Sequence, residues 1–265
     1  MSSGVTHAAD RTAISYSVSG QGPWLILSNS LATDRSMWAP QLPALEQIFS
    51  VVCYDTRGHG KSAVSETDFG FDALAADVVA IMETLAIDKA RFVGLSMGGM
   101  TGLALALNHP ERIETVVCCD ARADAPDPYK AMWDANIALS EESGMEAVAD
   151  ATLPRWFSET YRSDPANSDQ LKKVRAMVAE TSVDGYGKAA RCLQSLDLLR
   201  SLGDISVPVR FITGEFDPAA PVGVMQDMAD RVSGSRLDVI PGAAHLSNIE
   251  NPDAFLASIT AALTD

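Results

Sequence analysis

Basic residues are scarce in this chain of 265 residues: 20 Lys and Arg stand against 35 Asp and Glu, a net charge of −15. That balance repels polyanions, so neither nucleic acid nor an anionic membrane surface is expected as a partner. No apolar run reaches the roughly 18 residues of a membrane-spanning helix. The opening stretch, "MSSGVTHAADRTAI", lacks a basic end followed by an apolar core, so no secretory signal is read. Cysteine is limited to Cys53, Cys118, Cys119 and Cys192, with no C-x-x-C spacing. Cys118 and Cys119 are adjacent in an apolar run, so they face opposite sides of it and read as small buried hydrophobes. A reducing, cytoplasmic location is expected. There is no internal repeat, no low-complexity tract and no G-x-G-x-x-G. "GHGKS" resembles the end of a phosphate-binding loop, but Asp55 stands where that loop needs its first glycine. No metal and no other cofactor is expected; the partner left is a small molecule, and no oligomeric state follows.

What is present is an alternation of short apolar runs and helical patterns. Strands are expected at 13–18, 24–29, 50–55, 91–95, 114–119, 207–213 and 236–240. The middle five are nearly continuous apolar, as befits strands covered on both faces. The first alternates, with Ile14, Tyr16 and Val18 on one side, which suits an antiparallel edge; His7 before it lies in a polar leader. Residues 71–87 place apolar side chains at 71, 74, 75, 78, 81, 82 and 85, a helical period. Further helices are expected at 97–109, 219–232 and 251–263, the last opened by Asn251 as N-cap and Pro252. The fold class is therefore α/β: a mostly parallel central sheet with helices on both faces.

One region breaks the alternation. Residues 123–203 show three helix-like stretches, near 129–150, 165–181 and 185–201, and no strand. Inserted at the carboxyl ends of two strands, they would form a helical lid over the usual ligand crevice. The expected organisation is a core of residues 1–122 and 204–265 with a cap of 123–203.

"GLSMG" at 94–98 fits the G-x-S-x-G nucleophile elbow, preceded by a strand pattern and followed by a helical one. Gly94 and Gly98 allow a turn so tight that side chains there would strike backbone. Ser96 is thrust above the sheet at a helix N-terminus, with the Met97 N–H facing any developing oxyanion. A serine hydroxyl needs an adjacent base. Of four histidines, His59 sits in a turn and His109 at a helix end, whereas His245 follows the last strand in "VIPGAAHLSNIE". The acid that orients it is expected at Asp217, past a strand end in "FITGEFDPAAP", which completes the chain order Ser, Asp, His. Asp120, ending the preceding strand, and Glu215 are rivals. Counting into "SNSLATD" puts a second oxyanion donor at Leu31.

Together these residues resemble the α/β-hydrolase superfamily along nearly the whole chain. "LSNSLATDRSMWAPQ", "YDTRGHGKS", "GLSMGGMTG", "LPRWF" and "HLSNIENPDAF" are most similar to the 3-oxoadipate enol-lactonases. The resemblance implies hydrolysis of an enol-lactone ester by Ser96, Asp217 and His245, with Leu31 and Met97 as oxyanion donors. Such a substrate carries a carboxylate, which favours an arginine partner: Arg122, Arg155 or Arg191, with Trp133 and Trp156 as apolar walls. Two stretches depart from the family pattern. Ala32 stands where glycine is expected, and "DARADAPDPY" replaces an Asn-Thr-Ala type of stretch after the strand at 114–119.

Overall fold

The computed structural model describes residues 2–264. Eight strands form one sheet: β1 (Ser2–His7), β2 (Ala13–Gly20), β3 (Trp24–Ser28), β4 (Ser50–Tyr54), β5 (Ala90–Leu95), β6 (Ile113–Cys119), β7 (Val209–Gly214) and β8 (Arg236–Ile240). Their order is β1-β2-β4-β3-β5-β6-β7-β8. β1 pairs antiparallel with β2 and β2 with β4, and every other pairing is parallel. The helices are α1 (Leu42–Leu45), α2 (Phe71–Thr84), α3 (Met97–Asn108), α4 (Asp127–Trp156), α5 (Glu159–Ser163), α6 (Ser168–Glu180), α7 (Val183–Gln194), α8 (Val222–Arg231), α9 (Ser247–Glu250) and α10 (Pro252–Thr264). Among the described residues no helix is long and apolar enough to cross a membrane.

Alternation along β5 shows how the sheet is covered. Phe92 points toward α3, where a β-carbon added to Gly102 would stand 2.8 Å from its ring. Arg91, one residue earlier, points the other way and donates to the Leu263 carbonyl of α10. Neighbouring residues thus meet helices on opposite faces, which is why the five inner strands read as unbroken apolar runs. Helix α2 ends at Thr84, short of the expected 87, and Leu85 is its C-cap. Its buried residues are Phe71, Leu74, Ala75, Asp77, Val78, Ile81 and Met82, the periodic set without Leu85 plus one acid. That acid is held by Arg57, which also reaches Asp10 and Ser65. At α10, Asn251 Oδ1 accepts the Ala254 N–H, so the cap forms as read.

Three further expectations need correction. His7 is not in a leader; it ends β1, a strand the sequence reading lacks, so the strand at 13–20 is second from the edge. The third helix of the insertion ends at Gln194, not near 201, and a separate 3₁₀ turn covers Leu199–Asp204. The first runs to Trp156 with a break at Gly144, whose φ of 78° only glycine adopts easily.

Helices α4 to α7 lie between β6 and β7. The chain enters and leaves them through a narrow neck: Leu198 N–H donates to the Ala123 carbonyl at 2.8 Å, beside an antiparallel bridge of Asp124 and Asp197. All four thiols are free and buried, and burial pushes those of Cys53 and Cys192 up to about 12. They are packing groups. The "GHGKS" turn wraps Asp55, which accepts from the Arg35 and Lys61 N–H groups.

Candidate active site

The elbow between β5 and α3 is built by close backbone approaches. A β-carbon on Gly94 would stand 2.0 Å from the Gly98 carbonyl oxygen, and one on Gly98 would stand 2.2 Å from that of Ser28. With both glycines in place, Ser96 is held at φ 56°, ψ −116°, a conformation that L-residues avoid. Its N–H donates to the Cys119 carbonyl at 2.8 Å.

The structure brings together the three residues singled out in the sequence. His245 Nε2 is 3.1 Å from Ser96 Oγ, and His245 Nδ1 is 2.9 Å from Asp217 Oδ2. All three are more than nine-tenths buried. A carboxylate can only accept, so Nδ1 carries the proton and Nε2 is left to accept the Ser96 O–H. Asp217 is itself fixed by the Ala219 N–H, 2.7 Å from Oδ1. The rivals are placed elsewhere. Asp120 bonds Gly214 and Ser247, and Glu215 accepts the Gly242 N–H.

Two backbone N–H groups close to this serine, in the chain or in the pocket, lack a backbone partner among the described residues. Met97 is the first residue of α3, so its N–H has no partner within the helix. The Leu31 N–H follows β3 and has no acceptor among the described residues. His59 stays out of the site; it is buried and bonded to the Arg57 carbonyl. His109 takes the C-cap position of α3.

A pocket opens over Ser96 and His245. The ends of the strands supply Ser30, Leu31, Asp120, Ala121, Arg122 and Pro218–Ala220, with Met100 from α3. α4 supplies Tyr129, Met132, Trp133, Arg155 and Trp156, so Trp133, Trp156, Arg122 and Arg155 all reach it. Arg191 does not: α7 turns Tyr186, Ala189, Cys192 and Leu193 inward and leaves Arg191 outside, paired with Asp68. Ser30, whose buried hydroxyl has no partner among the described residues, and Tyr129 went unassigned in the sequence. Their signal was proximity to the quoted "SNSL" and "DARADAPDPY" stretches.

The cations of the pocket differ. Arg122 bonds both the carbonyl and the carboxylate of Asp124 and stacks 4.7 Å over the Tyr129 ring. Arg155 touches Met132 Sδ at 3.3 Å and Thr152 Oγ1 at 3.5 Å, with no carboxylate among the described residues. Asp120 is wholly buried; burial, then the neighbouring Asp217, hold its carboxyl well above the usual range.

The α/β-hydrolase fold model matches residues 23–252. The chain belongs to the α/β-hydrolase family. It is similar to 3-oxoadipate enol-lactonase 2 of Acinetobacter baylyi, 35% identical over 97% of this chain and 96% of that one. The crystal structure of the enol-lactonase from Burkholderia xenovorans superposes with a TM-score of 0.94 at 38% identity, covering 99% of this chain and 100% of the other. A malate-bound thermophilic esterase from Thermogutta terrifontis follows at a TM-score of 0.91 and 27% identity, covering 99% and 98%. For a hydrolase of this family, the crevice at the carboxyl ends of the strands is where chemistry is expected.

Proposed function

We propose that this α/β-hydrolase opens a 3-oxoadipate enol-lactone type of ester through an acyl-Ser96 intermediate. The observation that carries the reading is the unbroken hydrogen-bonded chain from Asp217 through His245 to Ser96 at the floor of an apolar pocket. The similarity to two enol-lactonases supports the substrate.

In this reading Ser96 Oγ attacks the lactone carbonyl while His245 Nε2 takes its proton. The Leu31 and Met97 N–H groups hold the oxyanion. The ring C–O bond then breaks, and the departing enolate oxygen accepts the proton from His245 to become an enol, which tautomerises to a ketone. An enolate is a good leaving group, so little acid assistance is needed. His245 next takes a proton from water, the resulting hydroxide attacks the acyl ester, and Ser96 leaves with that proton. Asp217 accepts from Nδ1 throughout and stabilises the imidazolium.

Trp133 and Trp156 form the apolar walls of the pocket, in a lid formed by residues 123–203. Of the two pocket arginines, Arg155 is the anchor for the substrate carboxylate, because Arg122 is already neutralised by Asp124. The partner is that small molecule alone, with no cofactor, and four free thiols suit a cytoplasmic enzyme.

The test is the loss of freshly generated enol-lactone, followed by ultraviolet absorbance, with Ser96→Ala beside the wild type. Fast loss is expected, falling about 10⁴–10⁶-fold in kcat for the variant. Aryl esters cleaved while the lactone survives would move the enzyme to other esters. Full turnover by Ser96→Ala would refute the mechanism.

A further inference from the structure

The first residues past β6 do more than close a strand. Cys119 offers its carbonyl to the Ser96 N–H at 2.8 Å. Asp120, next in the chain, donates its own N–H to the Ile212 carbonyl at 2.8 Å and sits at φ 48°, where a non-glycine residue is uncommon. Both oxygens of its buried carboxyl are used. Oδ1 accepts the Gly214 N–H at 2.7 Å, and Oδ2 lies 2.5 Å from Ser247 Oγ. Gly214 ends the strand that leads to Asp217, and Ser247 follows His245 by two positions. The segments bearing all three members of the triad are therefore bonded to one dipeptide.

We propose that Asp120 is a positioning residue, whose single carboxyl ties the Asp217 segment to the His245 segment and so sets the distance between them. The proposal rests on the triad assignment above, not on the lactone. Around the carboxyl stand Asp217, Glu250 and the thiols of Cys118 and Cys119, while His245 and Arg122, which Asp124 already engages, line the same pocket. None of the cations bonds it among the described residues. Two buried carboxylates side by side do not both ionise easily. Burial and the neighbouring Asp217 favour the neutral form of Asp120, whose Oδ2 accepts the Ser247 O–H. An asparagine here keeps an oxygen toward the Gly214 N–H and turns its amide toward Ser247, whose hydroxyl can rotate to accept.

The experiment uses an activated aryl ester, with kcat and KM measured across about pH 5 to 9 for Asp120→Asn, Asp120→Ala and Ser247→Ala. The two alanine variants are expected to lose about 10–100-fold in kcat with little change in KM. Asp120→Asn should recover most of that loss and leave the midpoint of the acid limb within about 0.3 pH units of wild type. An asparagine variant as slow as the alanine one, or an acid limb displaced by about a unit, would show that the carboxylate acts as a charge and overturn the proposal. So would wild-type kcat in Ser247→Ala. If Asp120→Ala fails to fold, the comparison of Ser247→Ala with Asp120→Asn decides the matter. A Ser96→Ala control separates the failures, because turnover there would sink the triad assignment itself.

Discussion

The backbone N–H of Leu246, next to His245, donates to the carbonyl of Trp156 at 3.1 Å, and the Trp156 ring lies 6.2 Å from the imidazole. The end of α4 and the histidine segment are thus one unit. Glu250 strengthens it by accepting from the Ser158 N–H and hydroxyl and from the Ala244 N–H at 2.9 Å. Glu250→Ala leaves those donors without their acceptor. A loss of about 1–3 kcal/mol in stability is expected, together with a lower kcat, read by denaturant melts and steady-state kinetics.

Ala32 sits at φ 55° in the loop that presents the Leu31 N–H. A β-carbon in the left-handed region costs about 1–2 kcal/mol, partly offset by the greater freedom glycine has in the unfolded chain. Ala32→Gly should raise Tm by about 1–3 °C with kcat little changed, as checked by calorimetry. A lower Tm would mean that the buried methyl outweighs the backbone term.

Arg57 is 2% exposed at its side chain and makes a bidentate pair with Asp77, equally buried, at 2.6 and 2.8 Å. Arg57→Met strands a buried carboxyl and should destabilise by about 3–5 kcal/mol. Adding Asp77→Asn should return much of the loss. Urea melts of the single and double variants would show whether the coupling exists.

Asp120 also gives stability a pH dependence of known sign. Its folded-state pKa is raised above the unfolded value, by burial and then by Asp217. Between the two values the folded state holds the extra proton, so stability declines as pH rises from about 4. Asp120→Asn removes this one contribution. The Tm difference, variant minus wild type, is expected to widen from about pH 5 to 8; a constant difference would mean that Asp120 ionises in the fold.

Much of this site was readable because its chemistry is tied to local backbone signals. The elbow needs glycine at 94 and 98, and chain order with strand-end loops singled out Asp217 and His245. Other features left no local mark. β1 pairs through a stretch, Ser2–His7, that is mostly exposed and has no apolar run, and its neighbour across the sheet edge supplies the register. Arg191 could not be separated from Arg155 by type or spacing; the face of α7 that packs inward decided it. Asp120 read as a spare triad acid because its partners lie 94 and 127 residues away.

The neck at Ala123 and Leu198 has a consequence for how such an enzyme changes over time. Everything between those residues is a loop whose ends are already joined. In a flexible loop, doubling the length costs only about 0.6 kcal/mol in closure entropy. Apart from the end of α4, which Leu246 and Glu250 hold, helices there can be lengthened, shortened or exchanged while the strands keep their pairing. One wall of the pocket is thus free to diverge, while the bonded residues beneath it are not.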